Sequence, residues 1–244
     1  GRIGVATSGI IGNWAAGFLD VSFLLLLSLV FCREIIAGKN WKNLVVVIPV
    51  FMLACVNTVI HGGMIGLWSN MTAEALFFGL FFVLLLLSVI AGRVIPSFTR
   101  NWLKQQNASR FPVPFGRFDV FTTFAILILL VVLMYGNDVW SGWIAAGVAA
   151  LHAIRLSRWQ GWHCGAEPLV WILHVAYAWI PFGFGLMALS YLTEFFSLAA
   201  ALHALTAGAM ATMIMAMMTR ASLGHSGRGL QANTPTTVAY MILV

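Results

Sequence analysis

Apolar residues in this chain come in long unbroken runs, without the two-residue alternation of a half-exposed strand or the 3.6-residue stripe of a surface helix. A helix needs about 20 mostly apolar residues to cross a hydrocarbon core, whereas a membrane barrel would show alternating segments of about ten. Seven complete runs stand at 13–32, 43–62, 71–91, 118–136, 139–156, 168–190 and 196–218, and an eighth opens near Thr236 and is cut at Val244. The pattern predicts an all-α fold, a polytopic transmembrane helix bundle of about eight spans, forming a single domain over residues 1–244. The runs FLLLLSLVF and LFFGLFFVLLLLSVI lack a polar face and are expected to meet lipid. The histidine-bearing helices, richer in Gly, Ala and Thr, are expected inside, since small residues permit close helix approach. The longest connection, 92–116, carries Pro96, Pro112 and Pro114 and the basic piece SFTRNWLKQQ, whose Phe98 and Trp102 are four apart. That spacing suits a helix lying at the cytoplasmic interface.

Composition sharpens this reading. Hydrophobic residues make up 61% of the chain and charged ones 8%, and the mean hydropathy is +0.95. A soluble domain needs a surface with roughly 25% charged residues, so the chain is an integral membrane protein. The net charge of +6 would suit a nucleic-acid partner, but the basic residues are placed otherwise. Arg33, Lys39 and Lys42 follow the first run, and Arg93, Arg100, Lys104, Arg110 and Arg117 follow the third. Arg155 and Arg158 follow the fifth, Arg220 and Arg228 the seventh, while 63–70, 137–138 and 191–195 hold no Lys or Arg. This alternation is the positive-inside pattern, which puts the basic loops in the cytoplasm against anionic lipid. The excess charge reports topology, and no nucleic acid is expected as a partner. The chain opens on Gly1-Arg2 with no initiator Met or signal-peptide pattern, so it is expected to be a portion of a longer protein.

The candidate chemistry lies in the histidines. The stretch 203–228 puts His203 inside an apolar run that ends abruptly in Arg220, His225 and Arg228, and an ionisable group at such depth is a functional candidate. His61, His152 and His174 also sit within or at the ends of apolar runs. With the orientation above, His61 lies near the outer face and His203 about 10 Å below it, while His152 and His174 lie near the inner face, His174 about 9 Å in. Two same-depth pairs result, His61 with His203 and His152 with His174. A b-type haem between helices needs axial nitrogens at matching depth, basic groups for its propionates and an apolar cage. The inner pair has the richer surroundings: His152, Arg155 and Trp159 recur on one face, and Trp171, His174 and Tyr177 are spaced by three. Arg155 could bind a propionate; the same residues also read as interface aromatics and a hydrogen-bonded bundle histidine.

Other features read more plainly. His203, Thr206, Met210, Met213 and Met217 fall on one face of an ideal helix, which suits soft Cu(I) ligation but suits a packed core better. Asp20, roughly mid-span in the first helix, is the one deep carboxylate, placed for proton delivery or for a hydrogen bond to a neighbouring helix. Cys32, Cys55 and Cys164 show no pairing pattern, so no disulfide is predicted, and the lone His163-Cys164 pair is a weak metal signal. The segment RASLGHSGR, 220–228, is a cytoplasmic cap able to bind an anion or a propionate, or a plain basic loop.

The segments LHAIRLSRWQGW (151–162), EPLVWILHVAYAWIPFGFGL (167–186) and HALTAGAMATMIMAMMTRASLGHSGR (203–228), with AGRVIPSFTRNWL (91–103) more loosely, resemble the NnrS family. These are haem- and copper-containing bacterial membrane proteins that respond to nitric oxide. The resemblance implies protection against nitrosative stress in the bacterial inner membrane, with haem b and copper as cofactors. It also implies about twelve helices in the full protein, of which this chain resembles spans four to eleven. By motif position the matching residues are His152, Arg155, His174, Tyr177, His203, Thr206, Arg220, His225 and Arg228; His61 joins them from the depth argument. Which of these ligates which metal does not transfer, and a His-x-His-Glu-Met-type motif of the family has no counterpart here. The expected function is to bind, sense or detoxify nitric oxide, with the lipid bilayer and a respiratory complex or a second copy as partners. The alternatives are a proton-coupled transporter using Asp20 and the histidines, or an assembly subunit of a respiratory complex such as nitric-oxide reductase.

Overall fold

The structure is a computed structural model that describes every residue except Arg228, and every side chain except those of Lys42, Ser69 and Arg228. Among the described residues there are helices and turns but no strand. In chain order the helices are α1 (Arg2–Ala6), α2 (Ser8–Ile11), α3 (Asn13–Ala37), α4 (Leu44–Met64), α5 (Thr72–Gln105), α6 (Arg117–Tyr135), α7 (Asp138–Ser157), α8 (Pro168–Leu192), α9 (Leu198–His203), α10 (Thr212–His225) and α11 (Thr234–Leu243). Between α9 and α10 the residues Ala204–Ala211 form a π-helix, so the chain stays helical from Leu198 to His225. Seven helical stretches among the described residues are long and apolar enough to cross a membrane, and each overlaps one of the seven runs expected from the sequence. The eighth run is the short α11.

The chain packs as two compact units, Gly1–Val89 and Ile90–Val244, the boundary falling within α5. In the first unit α3 packs on α4, and α1 and α2 fold back on α3. The outward side of α3 is bare, with Phe18, Phe23, Leu26 and Leu29 exposed, as expected of a lipid-facing run. The second long run departs from that expectation: Phe81, Leu84, Leu85 and Val89 of α5 are buried. An apolar run without a polar face is equally at home against other helices, and Gly79 lets α5 approach α4, a Cβ there meeting Val56 at 3.2 Å.

In the second unit α8 is the hub. It packs on α7, α9, the π-helix, α10 and α11, and 56% of its apolar window is buried, against 17% for α3 and for α4. Its start is marked by Glu167, whose Oε1 accepts from the Leu169 N–H at 3.1 Å, followed by Pro168 at the first helical position. Asn137, Ser197 and Asn233 cap α7, α9 and α11 in the same way. Pro181 inside α8 and Pro96 inside α5 leave both helices unbroken, as neighbouring helices permit in membrane proteins.

One expected loop is helix. The basic piece from Ser97 does not form a separate interfacial helix; α5 runs on through it to Gln105. Charged and proline residues after Ala91 looked like the end of the span, but Arg, Asn, Lys and Gln sustain a helix that is already nucleated.

Candidate functional site

The interior of the second unit holds a polar network built on α6, α7 and α8. Arg155 and His152 of α7 are fully buried, one turn apart on the face turned to α8. The Arg155 guanidinium donates through Nε to Asp119 Oδ1 of α6 at 2.8 Å and through Nη1 to the Tyr177 hydroxyl of α8 at 3.1 Å. Asp119 is itself fixed, its Oδ2 accepting from the Gly116 N–H at 2.9 Å at the start of α6. The rings of Phe115, Trp159 and Tyr177 lie 5.8, 5.5 and 5.9 Å from the guanidinium carbon and replace water around the cation. Gly92 on α5 leaves the needed space, since a Cβ there would stand 1.7 Å from Nη2. A charge can be held at this depth only when it is paired and hydrogen-bonded, and Arg155 is both. The residue expected to meet a propionate thus has a carboxylate of its own chain.

Tyr177 links this cation to His152, its hydroxyl lying 2.7 Å from His152 Nδ1. Arginine only donates, so the Tyr177 oxygen accepts from Arg155 and its proton is free to go to Nδ1. The neutral imidazole then carries its hydrogen on Nε2. That nitrogen is buried beside the Thr122 backbone without a hydrogen-bond partner in good geometry. The Phe184 ring closes the far side at 5.9 Å.

His174, one turn before Tyr177 on α8, is set the other way. Its Nδ1 lies 3.1 Å from the Val170 carbonyl, which can only accept, so the hydrogen sits on Nδ1. The Nε2 lies a long 3.3 Å from the Thr99 hydroxyl of α5, and the Trp159 backbone carbonyl also stands beside the ring. The ring packs against Gly161, where a Cβ would come within 2.3 Å of it.

At the end of the same unit where the basic loops lie is a cavity of about 450 Å³ bordered by Glu167, which caps α8, Val170 of α8, the last turns of α5, Arg220, and residues 229–231. His174 is not part of its wall. The Arg220 guanidinium lies 3.9 Å over the Phe98 ring. His225 is exposed at the end of α10, and Arg228 lies outside the described residues. Cys164 is buried against Leu103 and Val170, which pushes its thiol up from 9.0 to about 11. A metal-binding thiolate at neutral pH is disfavoured there. The adjoining His163 is exposed.

His203 is exposed on α9, whereas Met213 is buried. The stripe expected from His203 through Met217 is therefore broken. The intervening π-helix bonds i to i+5, which turns the following residues out of the register of an ideal α-helix. Thr206 returns its hydroxyl to the Leu202 carbonyl at 2.7 Å.

In the first unit Asp20 of α3 meets two side chains of α4, accepting from Asn57 Nδ2 at 2.9 Å and pairing with His61 Nε2 at 3.1 Å. Of the two roles open to Asp20, the hydrogen bond to a neighbouring helix is the one displayed. Asp20 and Asn57 border a cavity of about 650 Å³, and His61 borders a smaller one of about 120 Å³.

Asp119, Thr99, Thr123, Asn57 and Glu167 were missed in the sequence. Asp119 follows Arg117 at the start of a span and reads as an ordinary helix-start carboxylate; its partner lies 36 residues on. Asn57 and Thr123 lie inside apolar runs and Thr99 inside the basic piece 97–106, where nothing but spatial proximity marks them. Among the described residues, no group of three or more His, Cys, Asp or Glu comes together as a metal cluster.

Comparison with curated proteins and with solved structures returned no match. A family model described as "NnrS protein" matches residues 1–244. That match spans the buried α7–α8 network, the π-helix and the basic segment 220–228 alike, and the chain belongs to the NnrS family.

Proposed function

We propose that this protein binds a b-type haem within the membrane and through it binds, senses or detoxifies nitric oxide, protecting the bacterial cell from nitrosative stress. Membership of the NnrS family points to the nitric-oxide response; the observation that carries the haem reading is the state of His174. A histidine that ligates iron through Nε2 is ordinarily oriented by an Nδ1–H bond to a carbonyl or carboxylate. His174 has that bond to Val170, and its Nε2 faces the Thr99 hydroxyl at 3.3 Å with the Trp159 backbone carbonyl also beside the ring.

The donor set fits haem at His174 directly. His152 fits after one change: its proton moves to Nδ1, and the Tyr177 oxygen, already accepting from Arg155, accepts from Nδ1–H as well. Haem bound at these positions supplies an iron atom whose ligands decide whether nitric oxide can coordinate. The chain's own residues supply the rest. Arg155 and Asp119 fix Tyr177, Tyr177 fixes the His152 ring, and Trp159 and Phe184 keep water away. Of the residues matched to the family motif, Arg220 and His225 could meet propionates; Arg228 adds a third by sequence. His61 and His203 are proposed as further metal ligands. Copper finds no cluster of three ligands among the described residues, and no step is assigned to it.

The test is the optical spectrum of detergent-purified full-length protein, oxidised and dithionite-reduced, with and without nitric oxide. A Soret band that sharpens on reduction and shifts with nitric oxide supports the proposal. A featureless spectrum from folded protein leaves a second reading in front, a proton-coupled transporter. The Asp20–His61 pair beside the cavities of the first unit favours it.

A further inference from the structure

We infer that the cavity at the cytoplasmic end of the second unit is a binding site for the phosphoethanolamine headgroup of a bilayer phospholipid. It gives Arg220 to a lipid phosphate in place of a haem propionate. It starts from Arg220, a partly buried cation whose guanidinium stacks at 3.9 Å on Phe98 and has no carboxylate within 4.0 Å among the described residues. Stacking uses the face of the guanidinium and leaves its in-plane N–H donors aimed sideways, the geometry that grips a phosphate. The same cavity is lined by Glu167, 6% exposed, with Oε1 taken by the Leu169 N–H at 3.1 Å.

A cavity of about 450 Å³ thus carries one positive and one negative group that do not neutralise each other by contact. A simple anion would satisfy Arg220 and be repelled by Glu167, and a simple cation the reverse. A ligand with a phosphate and an ammonium a few bonds apart satisfies both. The amides of Asn101, Gln105 and Gln231 add neutral donors and acceptors, and Trp102 and Leu230 offer an apolar wall for the glycerol end. The depth is right as well. Helix α5 has 34 residues, about 51 Å at 1.5 Å per residue, against a hydrocarbon core of about 30 Å. Its last turns, from Phe98 to Gln105, therefore reach the headgroup layer on the side where the basic loops lie.

The test is native mass spectrometry of delipidated full-length protein offered phosphatidylethanolamine, phosphatidylglycerol or inorganic phosphate, with haem absorbance read on the same samples. The wild type should retain phosphatidylethanolamine at least tenfold more tightly than phosphatidylglycerol. Arg220→Gln should lower that retention tenfold or more. Glu167→Gln keeps the oxygen that caps Leu169 and should abolish the preference between the two lipids. Asn101→Leu, on the cavity wall, should weaken retention without removing either charge, and serves if Arg220→Gln does not fold. Equal retention of both lipids by the wild type, or a preference unchanged by Arg220→Gln and Glu167→Gln, overturns the inference. So does displacement of the lipid by millimolar inorganic phosphate, which makes free phosphate the ligand. Loss of haem absorbance in Arg220→Gln with lipid retention intact also overturns it, by assigning Arg220 to a propionate. Because lipid is weighed directly, a protein that proves to hold no haem leaves this test standing.

Discussion

Asp119 is the residue that lets Arg155 remain charged in the bundle interior, and removing it isolates the cost of that charge. Asp119→Asn keeps the shape but takes away the carboxylate facing Nε at 2.8 Å; breaking one side of a buried pair costs about 3–5 kcal/mol. The variant should melt well below wild type in detergent, and an unchanged melting temperature would mean that the pair contributes little. Tyr177 acts at one remove, through the ring of His152. Tyr177→Phe deletes the 2.7 Å bond to Nδ1, and loss of such a ligand-orienting bond costs roughly 10–100-fold in metal affinity. Haem retention in dilute detergent should fall by that factor while Trp171→Phe, whose ring contacts Tyr240 instead, holds haem normally. Cys164 supplies a pH signature. Folding raises its thiol from 9.0 to about 11, so the native state holds the proton more firmly; stability is unaffected below pH 9 and falls as pH climbs from 9 toward 11. The melting temperature of Cys164→Ala should fall less over that range than that of wild type. None of these three roles was marked in the sequence: Tyr177 stood out as a motif residue but not as the partner of His152, because partners far apart in the chain leave no local pattern.

At the scale of elements, the spans were legible because a helix in lipid must be apolar over its whole length, and no other signal is needed to find α3, α4, α6, α7 and α8. Where the chain leaves the hydrocarbon the signal fails, which is why the last turns of α5 read as loop. It fails also inside a span, where an α-helix and a π-helix are equally apolar. The π-helix Ala204–Ala211 is the clearest case, since the one-face stripe from His203 to Met217 assumed 3.6 residues per turn throughout. Its close contact with α8 depends on two glycines: a Cβ on Gly183 would stand 2.6 Å from Leu205, and one on Gly208 would stand 2.5 Å from the Trp179 ring. π-Segments recur at functional positions and carry a local cost in hydrogen-bond geometry. Gly208→Ala forces the Trp179 ring away and should destabilise by about 1–3 kcal/mol, as overpacking does. The drop would be read as lower melting temperature with altered Trp fluorescence; a variant with both unchanged would show that α8 and the π-helix have room to spare.

For the molecule as a whole, composition was sufficient for class. The 8% charged content excluded a soluble domain, and the alternation of basic and uncharged loops gives an expected direction for every span. The family was also legible, in motifs that turn out to lie on the buried faces of α7 and α8 and along the π-helix and the cap. What composition could not reveal is that α7 and α8 present their histidines with opposite hydrogen placement, a consequence of whether the nearest partner is Tyr177 or the Val170 carbonyl. On the haem proposal, that difference favours His174 over His152 as the ligand. The decisive measurement is the haem content of purified full-length His174→Ala set beside His203→Ala, by Soret absorbance per folded protein. Loss of the band in His174→Ala with the band kept in His203→Ala is the expected result. A full Soret band in His174→Ala would place any haem elsewhere and undo the assignment made from the Val170 and Thr99 contacts.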